Sequence, residues 1–563
     1  MQDNTFTTAS GYELHGTVKI YTDRDSDTRK HGEVVPIPQP TADPNDPLNW
    51  PHVKKFYNMA LIGAFTFCSA AIITGPLLGW ADTAKDLDIS YDELNNGYAI
   101  SIMFLGFGNF PVAIASRNRC CLFRRDADFL QIARNYGRRP VYVLCSLGAC
   151  LTSLWTALYQ TKGSYYARSV FIGIFCCPYE GMVTTMVNDV TFVHQRGTFM
   201  ALMFWMALLG TDLGTICGGF IASSPIPYIN WRWIGYVMCI FFGVLFLLFL
   251  FTFEETRYTR PSSHVISAAT APALRSTDQS LGQNNNSEKD LAEPLPSQPL
   301  DLSETFAVPP KKTYLQKLAL WQLESPEYRR STLTEMKEIL TLFTFPVVIW
   351  AGLIYGINLG WYVVILSMLP QVLGVAPYDF SAVAQGYTRF GTIIGAALAF
   401  LISGPTSDYV MLWLARRNGG VREAEHRLPL FLTGVIIMPA ALLIFGLSAA
   451  DHRPWFPVVF GEAMTSFAYT AQSEIAMAYV VDCYRPIAVE SFVGVIVIRN
   501  LLGFAWTYAV TPWLAASGVK IISITTAAIT IAVYLTVIPM MVWGKRMRMW
   551  TSSRYPLSGR KDY

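Results

Sequence analysis

Charge is scarce in this sequence: Asp, Glu, Lys and Arg make up 15% of its 563 residues, against roughly 25% in soluble domains. In their place stand apolar residues, 52% of the chain, gathered in blocks of about 20. That length crosses a hydrocarbon layer roughly 30 Å thick. Core helices of a soluble enzyme would keep polar residues at helical spacing. Blocks such as Phe241–Phe251 and Thr525–Val542 have almost none. A disulfide framework is also missing, because the ten cysteines sit singly or in pairs (Cys120–Cys121, Cys176–Cys177), mostly within apolar blocks. No Walker loop, nucleophile elbow or metal-ligand spacing appears, which argues against an enzyme or an ATP-driven pump. No catalytic residue, cofactor or metal is therefore expected. A basic-then-apolar leader is lacking too. Residues 1–55 are polar and proline-bearing, expected to form a disordered cytosolic tail. The first span would then serve as the insertion signal.

What is present is a set of spans. Candidates run Phe56–Leu78, Gly97–Ser116, Val141–Tyr159, Tyr165–Val187, Thr198–Ala222 and Trp233–Phe253. A second set runs Phe343–Leu369, Phe380–Ile402, Leu428–Leu447, Trp455–Val480, Ser491–Leu514 and Ile521–Val542. The expected fold is thus an all-α membrane protein of twelve transmembrane helices in two six-helix halves, residues 56–253 and 343–543. Orientation follows from Lys and Arg in the short loops. Lys54, Lys55, Arg134, Arg138, Arg139, Arg196, Arg416, Arg417, Arg422, Arg427, Arg485, Lys545, Arg546 and Arg548 fall on one side. The alternate loops hold Asp82, Asp86, Asp88, Asp92 and Glu93. Both termini and the central segment are accordingly expected in the cytosol, with residues 544–563 as the C-terminal tail.

The central loop, residues 254–342, opens on a charged stop, Glu254-Glu255-Thr256-Arg257. Its 261–309 stretch is rich in Ser, Pro, Gln and Asn, which predicts disorder. Lys311–Glu338 regains amphipathic spacing suited to a membrane surface. The stretch Val112–Gln131 fits no short loop. Its residues permit GT and AG borders and a branch site at Ala127-Asp128, as in a retained intron. The rival reading is a basic loop (Arg117, Arg119, Arg124, Arg125) on anionic lipid. Transcript sequencing separates the two.

Several ordered motifs carry a resemblance. Asp46-Pro47-Leu48-Asn49-Trp50-Pro51 precedes the first span, and Gly137-Arg138-Arg139 lies between the second and third. Gly404-Pro405-Thr406-Ser407-Asp408 with Arg416-Arg417 looks like a second-half copy. Over roughly residues 45–545 the chain resembles the major facilitator superfamily, and most of all its fungal twelve-spanner drug:proton antiporter branch. The resemblance implies that Gly137, Arg138, Arg139, Asp408 and Arg416 belong to gating loops that pair with acidic helix ends. The acidic residue that usually accompanies the first loop is absent, with Arg134 near its place. Arg168, five residues before Gly173, is similar to the family's membrane-embedded arginine linked to proton transfer. Gly210, Gly214, Gly218 and Gly219 resemble the antiporters' glycine signature, except that Thr215 replaces the usual proline. Asp189 with Arg196-Gly197 resembles a loop signature of the family.

The residues also speak for themselves. Glycines four apart let two helix backbones approach closely, so packing alone explains that stripe. At 100° per residue, Asp212 projects about 160° from the centre of the Gly210–Gly214–Gly218 stripe. Facing lipid is too costly for a carboxylate, which leaves the central cavity. Glu180 and Glu474 are the other deep acids, and ionisable groups inside spans are functional candidates by default. Burial would let them exchange protons near neutral pH. Internal pairing of these acids, for example with Arg168 or Arg499, is the plain alternative. Glu462 lies nearer a span end and is weaker. Asn358, Trp361, Tyr362 and Asn500 are candidates to line the cavity.

These features predict a proton-driven secondary transporter working by alternating access. The antiporter resemblance implies export of small amphipathic compounds, drugs or secondary metabolites, across the plasma membrane. Three deep acids favour cationic or neutral cargo. The incomplete glycine signature keeps open proton-coupled uptake of an organic cation such as a polyamine. A transporter-like nutrient sensor, which binds without flux, is a third class. Expected partners are a small-molecule substrate, protons and the lipid bilayer, with no nucleic acid, for a chain acting as a monomer.

Overall fold

A computed structural model describes residues 17–19, 43–109, 137–191, 193–226, 228–256, 313–318, 340–418, 421–484 and 487–552. The candidate intron stretch 112–131, nearly all of the central loop and residues 553–563 lie outside the described residues. So does most of the expected amphipathic helix. Its described part is the single turn Tyr314–Lys317. Tyr314 Oη donates to the Phe251 carbonyl at 2.6 Å there, and Lys317 Nζ lies 3.6 Å from Glu254.

The first half begins with the strand β1 (Thr17–Lys19) and α1 (His52–Thr74). A 3-10 turn entered at Gly75-Pro76 leads into α2 (Trp80–Leu87). There follow α3 (Tyr91–Phe107), α4 (Arg139–Leu158), α5 (Lys162–Cys176), α6 (Pro178–Val190), α7 (Val193–Ala222) and α8 (Arg232–Phe251). The short turn at 314–317 counts as α9. The second half comprises α10 (Pro346–Leu373), α11 (Ala382–Arg417), the strand β2 (Val421–Glu423) and α12 (Gly434–Ala450). It ends with α13 (Trp455–Cys483), α14 (Ala488–Tyr534) and α15 (Val537–Ser552). The strands β1 and β2 pair antiparallel, Val18 opposite Arg422.

Among the described residues, nine helical stretches are long and apolar enough to cross a membrane. Of the expected span Gly97–Ser116, residues 97–107 lie on α3, and residues 110–116 lie outside the described residues. Trp455–Val480 falls on α13, which carries Glu462, Glu474 and Asp482 and stands outside that set. The last two expected spans share one 62-residue stretch, Glu490–Thr551. Gly518 breaks it with a φ of +71° that an L side chain rarely adopts.

Local chemistry sets the helix ends. Ser90 and Glu93 form a capping box at α3, each side chain accepting from the other's backbone N–H. Ser381 accepts from the Ala384 N–H at 3.2 Å and starts α11. Within the halves α1 packs on α7, α4 on α8, α10 on α14 and α11 on α13. The glycine stripe is where α7 meets α1. A Cβ on Gly214 would lie 2.6 Å from Ala71 Cα, and one on Gly218 would lie 1.9 Å from the Gly75 carbonyl oxygen. Between the halves, α3 packs on α14 and α7 on α11. These two seams leave a space between them.

Candidate functional site

The space between the seams is a cavity of about 1340 Å³, counting its mouth. Helices of both halves line it. Its wall is mostly apolar and aromatic, with Tyr98, Tyr179, Tyr355, Tyr362 and Tyr469 around its deep part. Tyr362 and Tyr469 stack with ring centres 5.3 Å apart. The lining continues through Met203, Phe400 and Phe492 toward the end of the bundle that bears Asp189 and Asp482.

Three charged residues reach the wall: Glu180 on α6, Glu474 on α13 and Arg499 on α14. Glu180 is not alone. The Arg499 guanidinium donates to Glu180 Oε1, and Asn500 Nδ2 donates to Glu180 Oε2 at 2.8 Å. The Arg499 guanidinium also lies 4.7 Å from the centre of the Tyr355 ring. This pair joins the two halves, because α6 and α14 belong to different ones. Glu474 is half-buried beside Gly404 of α11.

Asp212 does not line the cavity. The stripe of Gly210, Gly214 and Gly218 faces α1, and Asp212 turns the opposite way, into the α7–α11 seam. It is fully buried and accepts from Tyr362 Oη at 2.8 Å and from Arg389 Nε at 3.2 Å. Arg389 also donates to Glu462 Oε1. The cluster sits behind Tyr362, which lines the cavity, in the seam where a Cβ on Gly219 would lie 3.0 Å from the Ala382 carbonyl oxygen. Asn95 Nδ2 donates to the Thr507 carbonyl at 2.5 Å in the α3–α14 seam. Together these contacts join the two halves near the start of α3 and the end of α7.

Arg389 escaped the reading of the sequence. Its signal was plain, a lone arginine inside the Phe380–Ile402 span. Other expectations are corrected. Asn358 is buried between helices of the second half, donating to Ser473 Oγ at 3.3 Å and accepting from Tyr534. Trp361 donates to Thr530 Oγ1 at 2.7 Å and packs on Trp506. Neither lines the cavity, whereas Tyr362 and Asn500 do. Arg168 is buried outside the wall and donates to Thr156 Oγ1 at 2.7 Å. No carboxylate lies within ion-pair distance of it among the described residues.

The first basic loop does find carboxylates. Arg138 Nε lies 3.1 Å from Asp189 Oδ2. Glu255 accepts from the backbone N–H groups of Arg138 (2.8 Å) and Arg139 (3.1 Å), capping α4. Gly137 has a φ of +115°, and a Cβ there would strike Glu255 Oε2. Glu255, which read as part of a charged stop, therefore acts as a cap, while Glu254 pairs with Lys54 and Lys317. Replacing Glu255 by alanine should cost about 0.5–2 kcal/mol, the range for losing a side chain that caps a helix N-terminus. A lowered melting temperature of the purified protein checks this, and an unchanged one removes the cap from the account.

The second half also gathers basic residues around a carboxylate. Asp482 accepts from Arg422 Nη2 at both carboxylate oxygens (3.0 and 2.9 Å) and from Arg427 Nε at 2.8 Å. Arg416 lies exposed at the end of α11. The side chain of Asp408 lies outside the described residues.

The comparisons with known proteins agree with this architecture. An uncharacterized MFS-type transporter of Schizosaccharomyces pombe is 32% identical, over 96% of this chain and 94% of its own length. Protein HOL1 of Saccharomyces cerevisiae is 29% identical over 93% of this chain and 91% of its own. The MFS-type transporter penM of Penicillium rubens is 23% identical over 82% and 79%. Among solved structures, a D-xylose-proton symporter superposes with a TM-score of 0.54 at 13% identity, over 86% of this chain and 97% of that one. The family model of the Major Facilitator Superfamily matches residues 60–471. With a cavity between two helical halves and that match over most of its length, the chain belongs to the Major Facilitator Superfamily.

Proposed function

We propose that this chain is a proton-coupled secondary transporter of the plasma membrane, its termini in the cytosol, exporting small amphipathic molecules by alternating access. The observation that supports this most is the cavity, which both halves line and beside which contacts join them. Parting the halves there and joining them at the opposite end would expose the same wall to the other side of the membrane. Its charged residues are two carboxylates, Glu180 and Glu474, against one guanidinium, Arg499, a formal sum of −1. That sum disfavours anions. Tyrosine faces attract organic cations, and the apolar remainder suits an amphipathic body. Export rests on the resemblance to the antiporter branch.

A second reading is uptake of an organic cation such as a polyamine. It is favoured by Thr215 at the place of the antiporters' proline and by the tyrosine-lined, negatively biased wall. The deciding measurement is accumulation of labelled cationic and neutral compounds in expressing cells, with and without a protonophore. Lowered accumulation that the protonophore reverses is the expected result. Glu474→Gln should reduce transport of cations at least tenfold, about 1.4 kcal/mol, and of neutral compounds much less. Raised accumulation with the same dependence would make the chain an importer. Flux indifferent to the protonophore excludes proton coupling, and saturable binding without flux identifies a sensor.

A further inference from the structure

The Arg389 cluster carries an unbalanced charge. Arg389 enters from α11 with 1% of its side chain exposed, Asp212 from α7 with 0% and Glu462 from α13 with 2%. Arg389 Nη2 lies 3.1 Å from Asp212 Oδ1 and donates to Tyr362 Oη at 3.2 Å, while Nη1 donates to Glu462 Oε1. One guanidinium thus faces two carboxylates. Fully ionised, the cluster would hold a net charge of −1 in a dry site, which burial strongly disfavours.

The remaining neighbours do not balance it. Tyr362 comes from α10 and donates its proton to Asp212. Tyr469 of α13 stacks on Tyr362, and Tyr98 of α3 stands within reach of the Arg389 charge. Thr392 of α11 stands within hydrogen-bonding reach of Asp212 and donates to the Arg389 carbonyl at 2.7 Å; a hydroxyl brings no balancing charge. Among the described residues, no second Lys, Arg or His lies within ion-pair distance of either carboxylate. Two oxygens are left over, Asp212 Oδ2 and Glu462 Oε2, both buried without a hydrogen-bond partner. An added proton on one of them would make the cluster neutral.

We propose that Asp212 and Glu462 share one bound proton while the halves meet in this seam, and release it to water when they part there. The cluster then works as a proton site built into the seam itself, separate from the carboxylates of the cavity wall. The balance is simple: a neutral carboxylic acid beside one Arg–carboxylate pair becomes two carboxylates and a hydrated proton. Neither residue owns the proton, because the two titrate as a unit. This inference rests on the alternating-access reading for its consequence, though not for the presence of the proton.

Infrared difference spectroscopy of the purified full chain in lipid nanodiscs tests it, reading the carbonyl stretch of protonated carboxylic acids. The wild type should carry one such group near neutral pH that both Asp212→Asn and Glu462→Gln lack. Each amide leaves one carboxylate facing one guanidinium, so neither needs the proton. Arg389→Gln should show a second protonated group in addition to the first. Raising the pH should remove the band from the wild type without any substitution, which keeps the test valid should a variant fold poorly. Wild-type spectra identical to those of both amides in this region, or a band unmoved by pH, overturn the proposal. If the band behaves as expected while transport ignores a protonophore, the proton site stands and the coupled-transport reading falls.

Discussion

Gly218→Ala is expected to abolish accumulation of folded protein, although it adds a single methyl group. The Cβ would lie 1.9 Å from the Gly75 carbonyl oxygen and 2.8 Å from its carbonyl carbon. Both are backbone atoms, so no side chain can rotate away. Relief would require α7 to move off α1, which would disturb Gly214 against Ala71 and Gly210 against Phe67 as well. Overpacking in a close-packed interior costs about 1–3 kcal/mol and more where the backbone must shift. Three coupled contacts place this case at or beyond the upper end. The matching control is Gly243→Ala on α8, where the nearest atom, Cys150 Sγ, is 3.8 Å away. That variant should accumulate like the wild type. Size-exclusion profiles of the detergent-extracted variants provide the readout. A Gly218→Ala protein as abundant and monodisperse as Gly243→Ala would show that the α1–α7 approach is looser than described.

The second large effect concerns Arg499. Arg499→Leu removes the guanidinium that faces Glu180 and leaves the carboxylate with only uncharged partners, Asn500 and Tyr179. Breaking a buried pair from one side typically costs about 3–5 kcal/mol, because the surviving charge stays buried and uncompensated. A fall in the melting temperature of the purified protein should follow, together with loss of transport. Adding Glu180→Gln to Arg499→Leu should recover much of the lost stability, since the orphaned charge is then gone. The double variant should still fail to transport. Comparing all four proteins isolates the coupling between the two sites. If the double variant is less stable than Arg499→Leu alone, the pair is not what holds α6 to α14.

Much of the architecture was legible in the sequence because a bilayer imposes simple rules. Apolar blocks of the right length become helices, and small residues at helical spacing become close approaches. The direction of Asp212 away from its glycine stripe followed from the helical angle alone. What it meets did not. Arg389 stands 177 positions away, and no local pattern ties a residue on one span to its neighbour in another half. Arg389 still obeyed the rule that singled out Arg168, a charge inside an apolar block, and could have been marked on that ground. The cap made by Glu255 was hidden for a similar reason, since only the folded chain brings the end of α8 beside residues 137–139. Asn358 and Trp361 show the opposite error. Polar and aromatic groups in a span can satisfy one another inside a half, as they do with Tyr534, Thr530 and Trp506. Polarity therefore marks a residue as needing a partner, without saying whether the partner is protein or cargo.

The small strand pair gives the chain an unusual route. Thr17–Lys19 lies against Val421–Glu423 of the second half, yet the helix that follows it, α1, opens the first. Between Lys19 and Asp43 run the 23 residues 20–42, a contour of about 80 Å at roughly 3.3–3.6 Å per residue. That is well over twice the roughly 30 Å thickness of the bilayer core. Under the proposed alternating access, a link whose maximal reach exceeds the bilayer so far sets no short limit on relative motion of the halves. The strand pair thus ties residues that precede the first half to the second half, a link in addition to the two helix seams.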